Sequence, residues 1–137
     1  MQAGYFAVRF RCETLPANWP RSFAIVSAFA TTGEVWPAVH SRTADERLRA
    51  ELTFLGAWHH RIVGYHPRTG HAEPSWAVDL PLEVARLLGC QFLQDATFWV
   101  VGTELNVVQC LADGGPVAVG SFSQRLDPVS GDASQAK

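Results

Sequence analysis

Four polar side chains sit at the joins between apolar segments of this chain. Glu73 and Ser75 open one stretch, and Gln94 and Asp95 separate a helix-like stretch from the next. Together they supply two carboxylates, a hydroxyl and an amide. Polar groups at element ends beside an apolar framework are a common way of building a ligand site. Brought together, they would hold a small polar ligand, with Glu73 as the candidate base. An architectural role is equally open, with Ser75 and Gln94 satisfying backbone groups at strand ends.

A second grouping is Thr31, Thr32 and Gly33 with Ser41, Arg42 and Thr43. If a helix begins at Thr43, its free amides and positive dipole end suit an anion, and Arg42 adds bidentate recognition. The plainer reading makes Thr43 a cap and Arg42 a solvated side chain. His59, His60, His66 and His71, with Glu73, lack the His-Glu-x-x-His spacing that would point to metal, so no metal and no cofactor is expected. Gly89-Cys90-Gln91-Phe92 lacks the strand-turn-helix placement of a nucleophile elbow. Trp58, Trp76 and Trp99 fall in apolar patterns and read as core, whereas Trp19 and Trp36 fall in loops and are candidates for a surface role.

The elements that must position these groups follow from periodicity. Phe6, Val8 and Phe10 alternate with polar or small residues, as in a half-buried strand. Ser22 to Ala30 is almost continuously apolar, as in a central strand covered on both faces. Thr43-Ala44-Asp45-Glu46 matches a capping box, and Ala44, Leu48, Leu52 and Leu55 recur at helical spacing, which predicts a helix over 43–57. Short strands are expected at Arg61 to Tyr65 and at Trp76 to Leu80. Pro81 opens a second helix that Gly89 stops. Ala96 to Val101 and Leu105 to Cys110 form a hairpin around Gly102-Thr103, and Val117 to Phe122 adds an edge strand. The expected architecture is α+β: two layers, a mostly antiparallel or mixed sheet of about five to seven strands with two main helices. Residues 1–122 read as one domain and 123–137 as a disordered tail.

The chain has 137 residues, 11 basic and 13 acidic, with a net charge of −2. That length suits one domain with a core of its own. Ten arginines stand against a single lysine, a bias that points to a GC-rich bacterial genome. The basic side chains form no block, so nucleic acid is not an expected partner. Three cysteines without Cys-x-x-Cys spacing argue against a disulfide framework. The alternating start does not read as a signal peptide, and no apolar run reaches the roughly 18 residues of a membrane helix. A cytoplasmic location is therefore expected.

Several of these segments also resemble, in order, a bacterial family catalogued only as a domain of unknown function. They are Ala24-Ile25-Val26-Ser27-Ala28-Phe29 with Thr31-Thr32-Gly33, the leucines from Leu48 to Leu55, Glu73-Pro74-Ser75-Trp76, and Phe92-Leu93-Gln94-Asp95-Ala96-Thr97-Phe98. Where that family tends to carry an Asn-Pro turn and later an Asn before the helix, this chain has Ala30-Thr31-Thr32-Gly33 and His40-Ser41, so a site using those asparagines is altered here. The resemblance implies a fold and a location for the site but no activity. No complete catalytic set assembles from the sequence. The leading expectation is a domain that binds a small ligand, anionic by the Arg42 reading, or a protein partner without catalysis. The alternative is a hydrolase or transferase acting on a small anionic or nucleotide-like substrate, with Arg42 binding the anion and Glu73 as base.

Overall fold

Strand β2, Ser22–Ser27, is apolar at every interior position and occupies the centre of the sheet, where both of its faces are covered. The computed structural model describes residues 7–29, 38–111 and 114–129. Around β2 lie β1 (Arg9–Arg11), β3 (His59–Tyr65), β4 (Ala72–Val78), β5 (Ala96–Val101), β6 (Glu104–Gln109) and β7 (Val117–Ser121). The helices are α1 (Ala38–Phe54), α2 (Leu82–Gln91) and the single-turn α3 (Phe122–Arg125). The strand order is β1-β3-β4-β2-β5-β6-β7, and every ladder is antiparallel. The α+β expectation is met, among the described residues, by seven antiparallel strands and two helices of more than one turn.

Period-two alternation divides the core between the two faces. Ala24, Val26, Trp76 and Val78 point toward α1 and α2, where they pack with Leu48, Leu52, Ala85, Leu88 and Phe92. Phe23, Ile25, Ala77 and Val100 point the other way and pack with Phe10, Ile62, Leu105, Val107 and Phe122. Among the described residues no long helix covers that second face; the sheet curls over it. The Asp127 amide donates to the Phe10 carbonyl at 2.7 Å, and Leu126 bridges Phe10 in parallel. Asp127 also takes Arg9 at 2.8 Å and the Tyr65 hydroxyl. Arg125 donates to the carbonyls of Val8 at 3.1 Å and Val119 at 2.6 Å. One edge of the sheet is thereby tied to the segment that leaves the other. Gly120 makes room for this clasp: its φ is +154°, and a Cβ there would lie 2.6 Å from Arg125 Nε.

The structure differs from the sequence reading at several places, including strands β3 and β4, which begin earlier, at His59 and Ala72. Helix α1 already includes Ala38, so Thr43 lies inside it, exposed, and not at its cap. The capping-box pattern is overridden because the buried stripe begins earlier, at Ser41, Asp45, Leu48 and Leu52. Gly89 does not stop α2, which runs on to Gln91. Residues 123–127, expected to begin a disordered tail, are instead held by the clasp just described, and residues 130–137 lie outside the described part. Trp19 is not a surface anchor: it stacks on Phe23 at 5.1 Å and 20° and packs against the curled-face core. Trp36 lies outside the described residues. The core assignment of Trp58, Trp76 and Trp99 agrees with their packing.

A candidate ligand cavity at the strand ends

Strand direction brings the polar residues of the sequence to one end of the sheet. Strand β2 finishes where β4 and β5 begin, with Ser27 opposite Ser75 and Ile25 opposite Phe98. Gly64 of β3 lies opposite Glu73, and Phe10 of β1 lies opposite Gly64. Residues opposite one another in an antiparallel ladder share a face, so these side chains all look into the curl. They line a cavity of about 70 Å³. A single water needs only about 10–15 Å³ of such space, so the cavity admits a small molecule. Its apolar wall is Val8, Phe10, Ile25, Ala96 and Phe98, and its polar lining is Ser27, His66, His71, Glu73, Ser75, Gln94 and Asp95.

Glu73, Ser75, Gln94 and Asp95 thus meet in one cavity. Thr31 and Thr32 lie outside the described residues. Arg42 is exposed on α1, which packs on the opposite face of the sheet, and it does not line the cavity. Arg42 does not stand at the opening of a helix that begins at Thr43, because α1 already runs through that position. Ser27, Phe10 and Phe98 were not singled out by the sequence as site residues. Alternation along β2 marks Ser27 as the polar member of the Phe23-Ile25-Ser27 face, a sign available only once the pairing of the strand is known.

The buried polar groups are bonded in a consistent sense. The Ser27 hydroxyl donates to the Pro74 carbonyl at 3.0 Å and accepts the Phe29 amide at 3.0 Å. The Ser75 hydroxyl donates to the Glu73 carbonyl at 3.0 Å. Gln94, only 6% exposed, donates from Nε2 to the carbonyls of Phe29 at 2.8 Å and Phe92 at 3.2 Å. Two flanking carbonyls fix which way this amide faces, because its own oxygen in that place would meet two acceptors. At the mouth, His71 Nε2 lies 3.0 Å from Glu73 Oε2, and the His66 and His71 rings stack at 6.3 Å. Ser75 and Gln94 thus bond backbone carbonyls, as in the architectural reading, and also line the cavity. Among the described residues no group of three or more His, Cys, Asp or Glu side chains is arranged to hold a metal ion.

Gln94 is aimed by an unusual helix end. The Gln94 amide donates to the Gly89 carbonyl at 2.8 Å and the Leu93 amide to that of Cys90 at 3.1 Å, the paired bonds of a Schellman motif. Glycine is the usual residue at its left-handed position, yet here it is Leu93, with φ +61° and a 69% exposed side chain. A non-glycine residue there is strained by about 1 kcal/mol. Leu93→Gly is expected to raise unfolding stability by about 0.5–1 kcal/mol in a urea titration. Unchanged or lower stability would show that Leu93 is held by contacts worth more than its backbone strain.

The cysteines offer no nucleophile to this cavity. Burial pushes the Cys12 thiol up to about 11, and burial followed by the neighbouring Cys90 pushes Cys110 up to about 12. Both stay protonated, hence weakly nucleophilic, at neutral pH. Cys90 donates to the Cys110 carbonyl at 3.1 Å and does not line the cavity.

Comparison with known proteins gives one match. The family described as "Protein of unknown function (DUF3293)" matches residues 26–97, just over half of the chain. That span runs from the end of β2 to the start of β5 and contains every polar residue of the cavity lining. No curated protein and no solved structure matches the chain.

Proposed function

The chain belongs to the DUF3293 family of proteins of unknown function, and we propose that its role is to bind a small polar ligand in the strand-end cavity without transforming it. The observation that carries this reading is the convergence of Ser27, Glu73, Ser75, Gln94 and Asp95 above a wall of Phe10, Ile25 and Phe98. An apolar wall with a few convergent polar groups is the usual make-up of a small-molecule site. The absence of catalysis is inferred from how the groups are engaged. Both serine hydroxyls donate to backbone carbonyls, and neither is bonded to a histidine that could activate it. His71 pairs with Glu73. The hydrolase or transferase alternative relied on Arg42 to hold an anion, and Arg42 does not line this cavity.

A fragment library screened by ligand-observed NMR, with hits mapped on amide spectra of the ¹⁵N-labelled chain, tests the proposal. Hits are expected to shift the amides of Ser27, Ser75, Gln94 and Phe98 together. A screen without hits, or hits that map only to α1 and α2, would overturn it.

A further inference from the structure

We propose that the cavity is selective for a small organic cation, a primary ammonium or amidinium group carried on a flat apolar body. This rests on the small-ligand reading above and adds the chemical class of the ligand. The reason is the direction of the hydrogen bonds. Every side-chain donor of Ser27, Ser75 and Gln94 is already spent on a backbone carbonyl. Acceptors remain: Gln94 Oε1 and Glu73 Oε1 have no hydrogen-bond partner among the described residues, and Asp95 adds a second carboxylate at the mouth. No Arg or Lys among the described residues lines the cavity, so nothing with a fixed positive charge is there to receive an anion.

Water reaches both acceptors, since among the described residues the only buried side-chain N or O atom without a partner is Thr97 Oγ1; a charged ligand donor that displaces this water makes a shorter and stronger bond. An ammonium supplies three donors and a charge opposite to that of Glu73 and Asp95. Beneath these groups, half-buried Phe98 offers aromatic surface to the body of the ligand, backed edge to face at 5.2 Å by the fully buried Phe10 ring. Gly64 keeps the space beside them open, since even a Cβ there would reach 3.4 Å from the Phe10 ring.

Three probes of one shape separate the possibilities: benzylamine, benzyl alcohol and benzoate. Each is titrated into the full chain and followed on the Gln94 side-chain amide resonance. Benzylamine is expected to bind at least about tenfold more tightly than either of the others. Glu73→Gln should weaken benzylamine by about tenfold and leave benzyl alcohol unchanged, because only the charge-assisted bond is lost. Asp95→Asn, at an exposed position, gives the same comparison should the first variant fold poorly. Benzoate or benzyl alcohol binding as tightly as benzylamine would overturn the cation assignment and leave the small-ligand reading standing. If none of the three moves the cavity resonances at ~10 mM, while the fragment screen finds other ligands there, the cation assignment alone fails; if both experiments are blank, the reading beneath it fails too.

Discussion

Asp45→Ala is expected to lower the unfolding free energy by about 2–3 kcal/mol, the largest effect of any single polar substitution considered for this chain. Asp45 is 9% exposed on the sheet-facing side of α1. Arg61 grips it with two bonds, Nη1 to Oδ1 at 2.9 Å and Nη2 to Oδ2 at 2.6 Å. The Trp76 indole donates to the same Oδ1 at 3.2 Å. The Arg61 guanidinium also lies 3.8 Å over the Trp76 ring and donates to the Ser75 carbonyl at 3.2 Å. Removing the carboxylate therefore takes a partner from the arginine and from a largely buried indole at once. The Arg61 side chain is 36% exposed and recovers some hydration, which puts the expected loss at the low end of that for buried pairs. Urea unfolding with an unchanged m-value is the measurement. Asp45→Asn, which keeps the shape and one acceptor, should lose about half as much. A loss below about 0.5 kcal/mol would show that this is an ordinary surface bridge.

The second large effect tests two opposing principles. On helix propensity alone, Gly89→Ala should stabilise α2 by about 0.5–1 kcal/mol. Packing predicts the reverse. A Cβ on Gly89 would lie 2.6 Å from Cys110 Sγ and 2.7 Å from Thr97 Cγ2, in a region where both neighbours are buried. Overpacking of this kind costs about 1–3 kcal/mol. The expected net result is a loss of about 1–2 kcal/mol, with partial recovery in Gly89→Ala/Cys110→Ala, where one of the two collisions is gone. A stabilised Gly89→Ala protein would mean that α2 can move off β5 and β6 without loss. Because the Gly89 carbonyl anchors the Gln94 amide, the substitution is also expected to disturb the cavity end of the helix.

Both sites show where sequence reasoning stops. Asp45 was read as part of a capping box, a local pattern that competes with the stripe it shares with Leu48 and Leu52. Its true partner, Arg61, is 16 residues away on β3, and no local spacing links them. Gly89 near the end of a helical pattern reads as a stop because glycine commonly ends helices. Here it is needed for close approach to the sheet, a demand made by Thr97 of β5 and by Cys110 just past the end of β6. The helix ends at Gln91 and is closed by a left-handed turn at Leu93, where nothing in the residue type suggests such a backbone.

What the amino-acid sequence determined by itself were the properties carried by local periodicity. β2 is apolar on both sides and so had to be central. The Gly102-Thr103 turn, with Gly102 at φ +61°, had to make a hairpin. Glu73, Ser75, Gln94 and Asp95 were recognisable as strand-end polar groups because they interrupt apolar runs. Only the tertiary structure decided that these four share a cavity with Ser27, Phe10 and Phe98, and that Arg42 stands apart from it. The physical reason is that the face on which a strand residue points depends on register with its neighbours, and register is set by pairings such as Ser27 with Ser75 across 48 residues of chain. The polarity of the cavity was likewise decided in three dimensions. A serine or glutamine is both donor and acceptor until its partners are known, and here backbone carbonyls take the donors and leave the acceptors facing inward.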